Sequence, residues 1–82
     1  MLYLITILEN YGEQEYTHYK LINSPSIEEA EIRAEKLAEK WYFDESKYIG
    51  KGYYVFFNGN ITVELTNVEQ ITEEEFIKLF LI

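Results

Sequence analysis

His18 is the only histidine of the chain and cysteine is absent. Those two facts leave no nucleophile–base pair and no histidine or thiolate cluster for a metal. Of the fifteen acidic residues only Asp44 is an aspartate, and no D-x-[DN]-x-[DN]-G calcium loop occurs. Asp44 and Glu45 could act as general acid and base only in a cleft that shifts one pKa, and the surrounding residues signal no such cleft. Gly50-x-Gly52 is too short for a phosphate-binding loop and leads into a strand, not a helix. The expectation is a protein that is not an enzyme and carries no cofactor and no metal.

The charge pattern is more specific. Fifteen acidic residues oppose seven basic ones, a net charge of −8. Glu28, Glu31, Glu35 and Glu39 recur at helical spacing, and at about 100° per residue they line one edge of a helix. Arg33, Lys36 and Lys40 collect on the other edge. Like charges four apart, as in Glu31/Glu35 and Glu35/Glu39, each cost about 0.2–0.5 kcal/mol. A ridge of one sign serves a basic partner better than it serves the helix. Glu73, Glu74 and Glu75 differ, because acids in a first helical turn face the helix dipole favourably.

The elements that would position these groups follow from the apolar pattern. Residues 2–8 read as a strand apolar on both faces, residues 9–15 as a polar hairpin loop, and residues 16–22 as a second strand. That second strand places Tyr16, His18, Lys20 and Ile22 on one face. Ser26 and Glu29 form a capping box that starts a helix at Ile27. Its stripe of Ile27, Ala30, Ala34, Leu37, Ala38 and Trp41 runs to about residue 43, with Ile32 on the opposite side. Asp44 to Gly52 reads as a loop. Tyr53–Phe57 and Ile61–Leu65 read as strands around Asn58-Gly59-Asn60, a two-residue hairpin signal. Thr72 and Glu75 cap a short C-terminal helix carrying Phe76, Ile77, Leu79 and Phe80. The expected fold is a single α+β domain over residues 1–82, one antiparallel sheet in ββαββα order, with the long helix packed on one face.

A chain of 82 residues buries only about 60% of its unfolded surface, and its eight Tyr and five Phe compensate with large apolar side chains. In the second hairpin Tyr54 and Phe56 share the core face with Ile61, Val63 and Leu65. Tyr53, Val55 and Phe57 then point outward as an apolar row, suited to a partner or to a second copy of the chain. Leu2–Ile7 and Lys51–Phe57 resemble the two strand motifs of the RNA recognition motif. The likeness fails at Tyr54, where that family has a small residue, and in the initial hairpin. A net charge of −8 also opposes binding to a polyanion, so direct contact with nucleic acid is not expected.

Met1–Leu8 is apolar but lacks a basic segment and a cleavage site, and it is shorter than the roughly 20 residues of a membrane span. The absence of cysteine fits a reducing compartment. A cytoplasmic protein that avoids membranes is expected, in the host cell cytoplasm if the gene is phage-borne. In size, acidity and lack of catalytic residues the chain is similar to small phage and mobile-element inhibitors of the anti-CRISPR and anti-restriction kind. The resemblance is one of composition, without an aligned motif, and carries over no residue roles. It implies an inhibitor that occupies a basic, nucleic-acid-binding surface of a host defence protein such as a CRISPR effector, carboxylates standing in for phosphates. The alternative is a structural or accessory domain that forms a homodimer through Tyr53, Val55 and Phe57. A third reading is a small-ligand site built from Trp41, Tyr42 and Phe43 with the sheet aromatics.

Overall fold

The computed structural model describes residues 1–42, 46–50 and 52–80. It is an α+β fold with one antiparallel five-stranded sheet and two helices. Along the chain come β1 (Leu2–Tyr11), β2 (Gln14–Asn23), α1 (Ile27–Glu39), β3 (Lys47–Gly50), β4 (Tyr53–Phe56), β5 (Ile61–Ile71) and α2 (Glu73–Phe80). In the sheet they lie in the order β2-β1-β5-β4-β3. The order ββαβββα corrects the expected ββαββα. The segment read as a loop contains β3, in which Lys47 pairs with Val55 and Tyr48 with Tyr54. β3 is only four residues long, too short for alternation to mark it. Asp44 and Glu45 lie outside the described residues.

Both hairpins differ from expectation at their turns. Tyr11 pairs with Gln14, so the polar loop contracts to Gly12-Glu13. Gly12, at φ +71°, fits the first central position of a II′ turn, whose twist matches the strands. In the second hairpin Val55 pairs with Thr62 and Phe56 with Ile61, which leaves residues 57–60 as the connection. Phe57 and Asn58 both adopt left-handed backbone, φ +53° and +57°. Asparagine tolerates that region, whereas for phenylalanine it is strained. The Phe57 ring is held edge-on by Tyr42 with centroids 5.3 Å apart.

β5 runs six residues past the expected end at Leu65 because a bulge hides its continuation. Ile7 pairs with Leu65 but Thr6 pairs with Asn67, so Thr66 is the extra residue. Its Oγ1 donates to the carbonyl oxygen of Thr6 at 3.0 Å. One inserted residue reverses which face each later side chain occupies. Val68 therefore stays beside Ile5, while Ile71 crosses to the face of Leu2 and Leu4.

One core cluster joins Tyr3, Ile5, Ile7, Ile22, Tyr54, Phe56 and Val63 of the sheet to Ala30, Ala34 and Ala38 of α1. The three alanines have no exposed surface, and α1 touches β5, β1 and β4. Alanine at every fourth position lets a helix backbone approach a sheet closely, filling the gap without large side chains. Leu37, read as part of that stripe, is 37% exposed. Ser26 Oγ accepts from the Glu29 amide at 3.3 Å. The helix stops at Glu39, with Lys40 as C-cap, short of residue 43. Thr72 and Glu75 exchange two capping bonds of 3.1 Å at the start of α2, as their spacing predicts. Among the described residues no helix is long and apolar enough to cross a membrane.

Ala34→Leu should lower unfolding stability by about 1–3 kcal/mol in urea titration, since the added atoms meet a filled interface. Ile32→Ala, at a residue 53% exposed, should change it by less than about 0.5 kcal/mol.

Candidate functional site

The rotation of α1 follows from its alanine stripe. With Ala30, Ala34 and Ala38 turned to the sheet, the two charged edges overhang opposite sides. Glu28, Glu31, Glu35 and Glu39 are all exposed, spread over about 16 Å at 1.5 Å per residue. Glu28, Glu31 and Glu35, with Ile32 between them, form one wall of an open groove of about 590 Å³. Its other wall is Tyr48, Gly52 and the bulged stretch Leu65–Val68 of β5. Glu39 lies beyond this groove and, with Glu35, near the Tyr54 hydroxyl. Among the described residues none of the four glutamates forms an ion pair, the pairs present being His18–Glu9 and Lys78–Glu74. The opposite edge holds Arg33, Lys36 and Lys40 with Leu37 over Ile22, and Arg33 Nη1 donates to the Asn23 carbonyl oxygen at 2.6 Å. Charge segregation on α1 thus becomes a difference between the two sides of the molecule.

The outward apolar row is shorter than expected. Tyr53 and Val55 do face away from the core cluster, opposite Glu64 and Thr62. Phe57 does not continue it, since the left-handed turn carries its ring to Tyr42. Tyr53 is 37% exposed. Its hydroxyl bonds to Glu64, which raises its pKa above the usual 10.0.

A second cluster forms around Glu9, a residue read from sequence as part of a loop. It lies on β1 in alternation with Tyr3, Ile5 and Ile7, and only 5% of it is exposed. Oε1 is 2.9 Å from His18 Nε2. Oε2 accepts from the Tyr11 hydroxyl at 2.9 Å and from Trp41 Nε1 at 3.2 Å. The Tyr42 hydroxyl also donates to Oε2, beside the Tyr11 hydroxyl. His18 lies 4.8 Å from the Trp41 ring, and the Lys20 ammonium is 5.8 Å from that ring's centre. A carboxylate out of water is costly unless its oxygens are bonded, and these four donors supply the bonds. His18 therefore sits as a partner of Glu9 on the face shared with Tyr16 and Lys20, where the sequence places it. Trp41 and Tyr42 serve the same carboxylate, and Phe43 lies outside the described residues. The signal that marks Glu9 is that it continues the odd-numbered alternation of Tyr3, Ile5 and Ile7.

Comparison with known proteins returns no significant match: no family model, no curated sequence and no solved structure is similar to the chain.

Two predictions follow from the geometry. Glu9→Ala should lower stability by about 2–4 kcal/mol, because several donors lose one buried acceptor, and emission from Trp41 should move to longer wavelength. The phenol pKa values of Tyr11, Tyr53 and Tyr54 all lie above 10.0. The causes are the Glu9 bond for Tyr11, the Glu64 bond for Tyr53, and burial followed by Glu35 and Glu39 for Tyr54. The folded state holds these protons more tightly than the unfolded chain. Their stabilisation is complete below the unfolded value of 10.0 and is lost as pH rises through the folded values. The urea midpoint should fall as pH rises above about 10, with phenolate absorbance appearing at higher pH in the folded protein than in the unfolded one.

Proposed function

We propose that this protein is a non-enzymatic, acidic protein-binding module that presents the Glu28/Glu31/Glu35/Glu39 edge of α1 to a basic protein surface. The supporting observation is that the four carboxylates are exposed without ion-pair partners among the described residues, three of them lining one groove. Solubility alone does not call for segregating the acids from Arg33, Lys36 and Lys40. An interleaved arrangement would also be the more stable helix. Carboxylates strung over about 16 Å can mimic backbone phosphates. The partner proposed is therefore a nucleic-acid-binding surface of a host defence protein such as a CRISPR effector, and the effect is inhibition by occupancy. Such encounters gain chiefly in association rate and weaken with salt.

Self-association through the sheet face is the second reading. It is supported by Tyr19 and Tyr53, 56% and 37% exposed, on the face away from the core cluster. Placing Phe57 in the turn removes one of the three residues on which that reading rests.

Replacing Glu31, Glu35 and Glu39 together with Lys should abolish capture of the partner in a host-lysate pull-down while the circular dichroism spectrum stays unchanged. Retained binding would eliminate the acidic edge as the contact. A concentration-dependent dimer that resists salt and dissociates in Tyr53→Glu would support self-association instead.

A further inference from the structure

Among the described residues, β5 is paired over most of its length on one side only. β1 accompanies it from Ile61's neighbour Thr62 to Ile71, whereas β4 accompanies it from Ile61 to Glu64. One further bond, from the Leu65 amide to the Gly52 carbonyl oxygen at 3.0 Å, closes that ladder. Beyond it the described residues contribute no strand on the β4 side. Alternation in the antiparallel ladder says which groups this leaves outward. The Ser24 amide bonds to the Met1 carbonyl oxygen, so odd residues of β1 turn their backbone groups to β2 and even ones to β5. Leu2, Leu4 and Thr6 pair with Ile71, Glu69 and Asn67. The N–H and C=O groups of Val68 and Gln70 therefore point away from β1, along the edge that a longer β4 would cover.

That edge continues from the groove between α1 and β5, whose lining includes Val68 opposite Glu28, Glu31 and Glu35. We infer that the β5 edge at Val68–Gln70 is a docking site for an extended basic segment of a partner protein, added as a further strand with alternate Lys or Arg side chains beneath the acidic edge of α1. The inference rests on the proposed acidic docking role and specifies the form of the partner. Two independent features select that occupant. The unpaired backbone groups require an extended chain, and the charge of the wall selects its side chains. The spacing also agrees. Alternate residues of a strand are about 6.7 Å apart, and Glu31 and Glu35 are about 6 Å apart along the helix. Ile32 and Val68 offer apolar surface for the aliphatic stems, so that the cationic heads reach the carboxylates. A second copy pairing edge to edge would oppose two acidic walls and is disfavoured. The edge itself, from Thr66 to Gln70, carries neither Lys nor Pro, the residues that commonly block strand addition.

The test uses a labelled synthetic peptide of alternating Lys and Val, and the same peptide with its edge-facing amides N-methylated. The unmodified peptide should bind the intact protein, with slowed exchange at the Val68 and Gln70 amides. N-methylation keeps the charge and should weaken binding by about tenfold or more, because at least two inter-strand bonds are lost. Gln70→Pro removes an outward N–H to which no described residue bonds and should have a similar effect, with circular dichroism checking the fold. Absence of binding, or equal binding by the two peptides, would overturn strand addition. In the same lysate pull-down, capture that is lost with the Glu31/Glu35/Glu39 reversal but kept in Gln70→Pro would refute the edge inference and leave the docking role standing. Capture that survives the reversal would refute both. A dimer that dissociates in Gln70→Pro would assign the edge to a second copy and overturn the proposal.

Discussion

The alanine stripe of α1 is the constraint on which the rest of the structure depends. Ala30, Ala34 and Ala38 are fully buried among Ile5, Ile7 and Val63. Because the side chains are small, the helix can rotate little without pushing a bulky or charged neighbour into the sheet. Fixing that rotation places Glu28, Glu31 and Glu35 over the open side of β5 and Arg33, Lys36 and Lys40 over Ile22. The same contact decides where α1 ends. Trp41 and Tyr42 follow directly and converge on Glu9 at the far end of β1.

Glu9 shows how a small, cysteine-free fold can hold a helix terminus in place. Its carboxylate draws donors from β1, β2 and the residues after α1, linking parts of the chain more than thirty positions apart. A buried acid is weak evidence for stability in itself, since desolvation offsets much of its attraction. Its clearer effect is on specificity: few arrangements of the helix end satisfy four donors and two oxygens at once. Phe57 extends the arrangement from the other side, its strained backbone held where its ring meets Tyr42. The apolar row on the outward face is shortened as a result.

Groove and bulge are one feature. Without the extra residue at Thr66, Val68 would turn away from α1 and Ile71 would leave Leu2 and Leu4. The bulge keeps apolar surface under the acidic wall while the ladder to β1 continues. β4 begins opposite Glu64, just before the bulge, so among the described residues β5 is paired on that side in the core and unpaired beneath α1.

Local signals in the chain carry much of this. Capping boxes at Ser26/Glu29 and Thr72/Glu75, the alanine period, the Tyr54/Phe56 core face and the acidic edge all depend on spacings of a few residues, and propensity or periodicity acts at that range. What escaped depended on partners far along the chain. The bulge interrupts the alternation that would reveal the end of β5, and β3 is recognisable only beside β4. Glu9 is polar, and only its bonds to Tyr11, His18, Trp41 and Tyr42 make its burial acceptable. The sequence by itself determined which residues are acidic and on which edge of a helix they fall, because helical geometry needs no neighbours. Only the tertiary structure decided what that edge faces, because strand register and helix rotation are set by packing between distant segments.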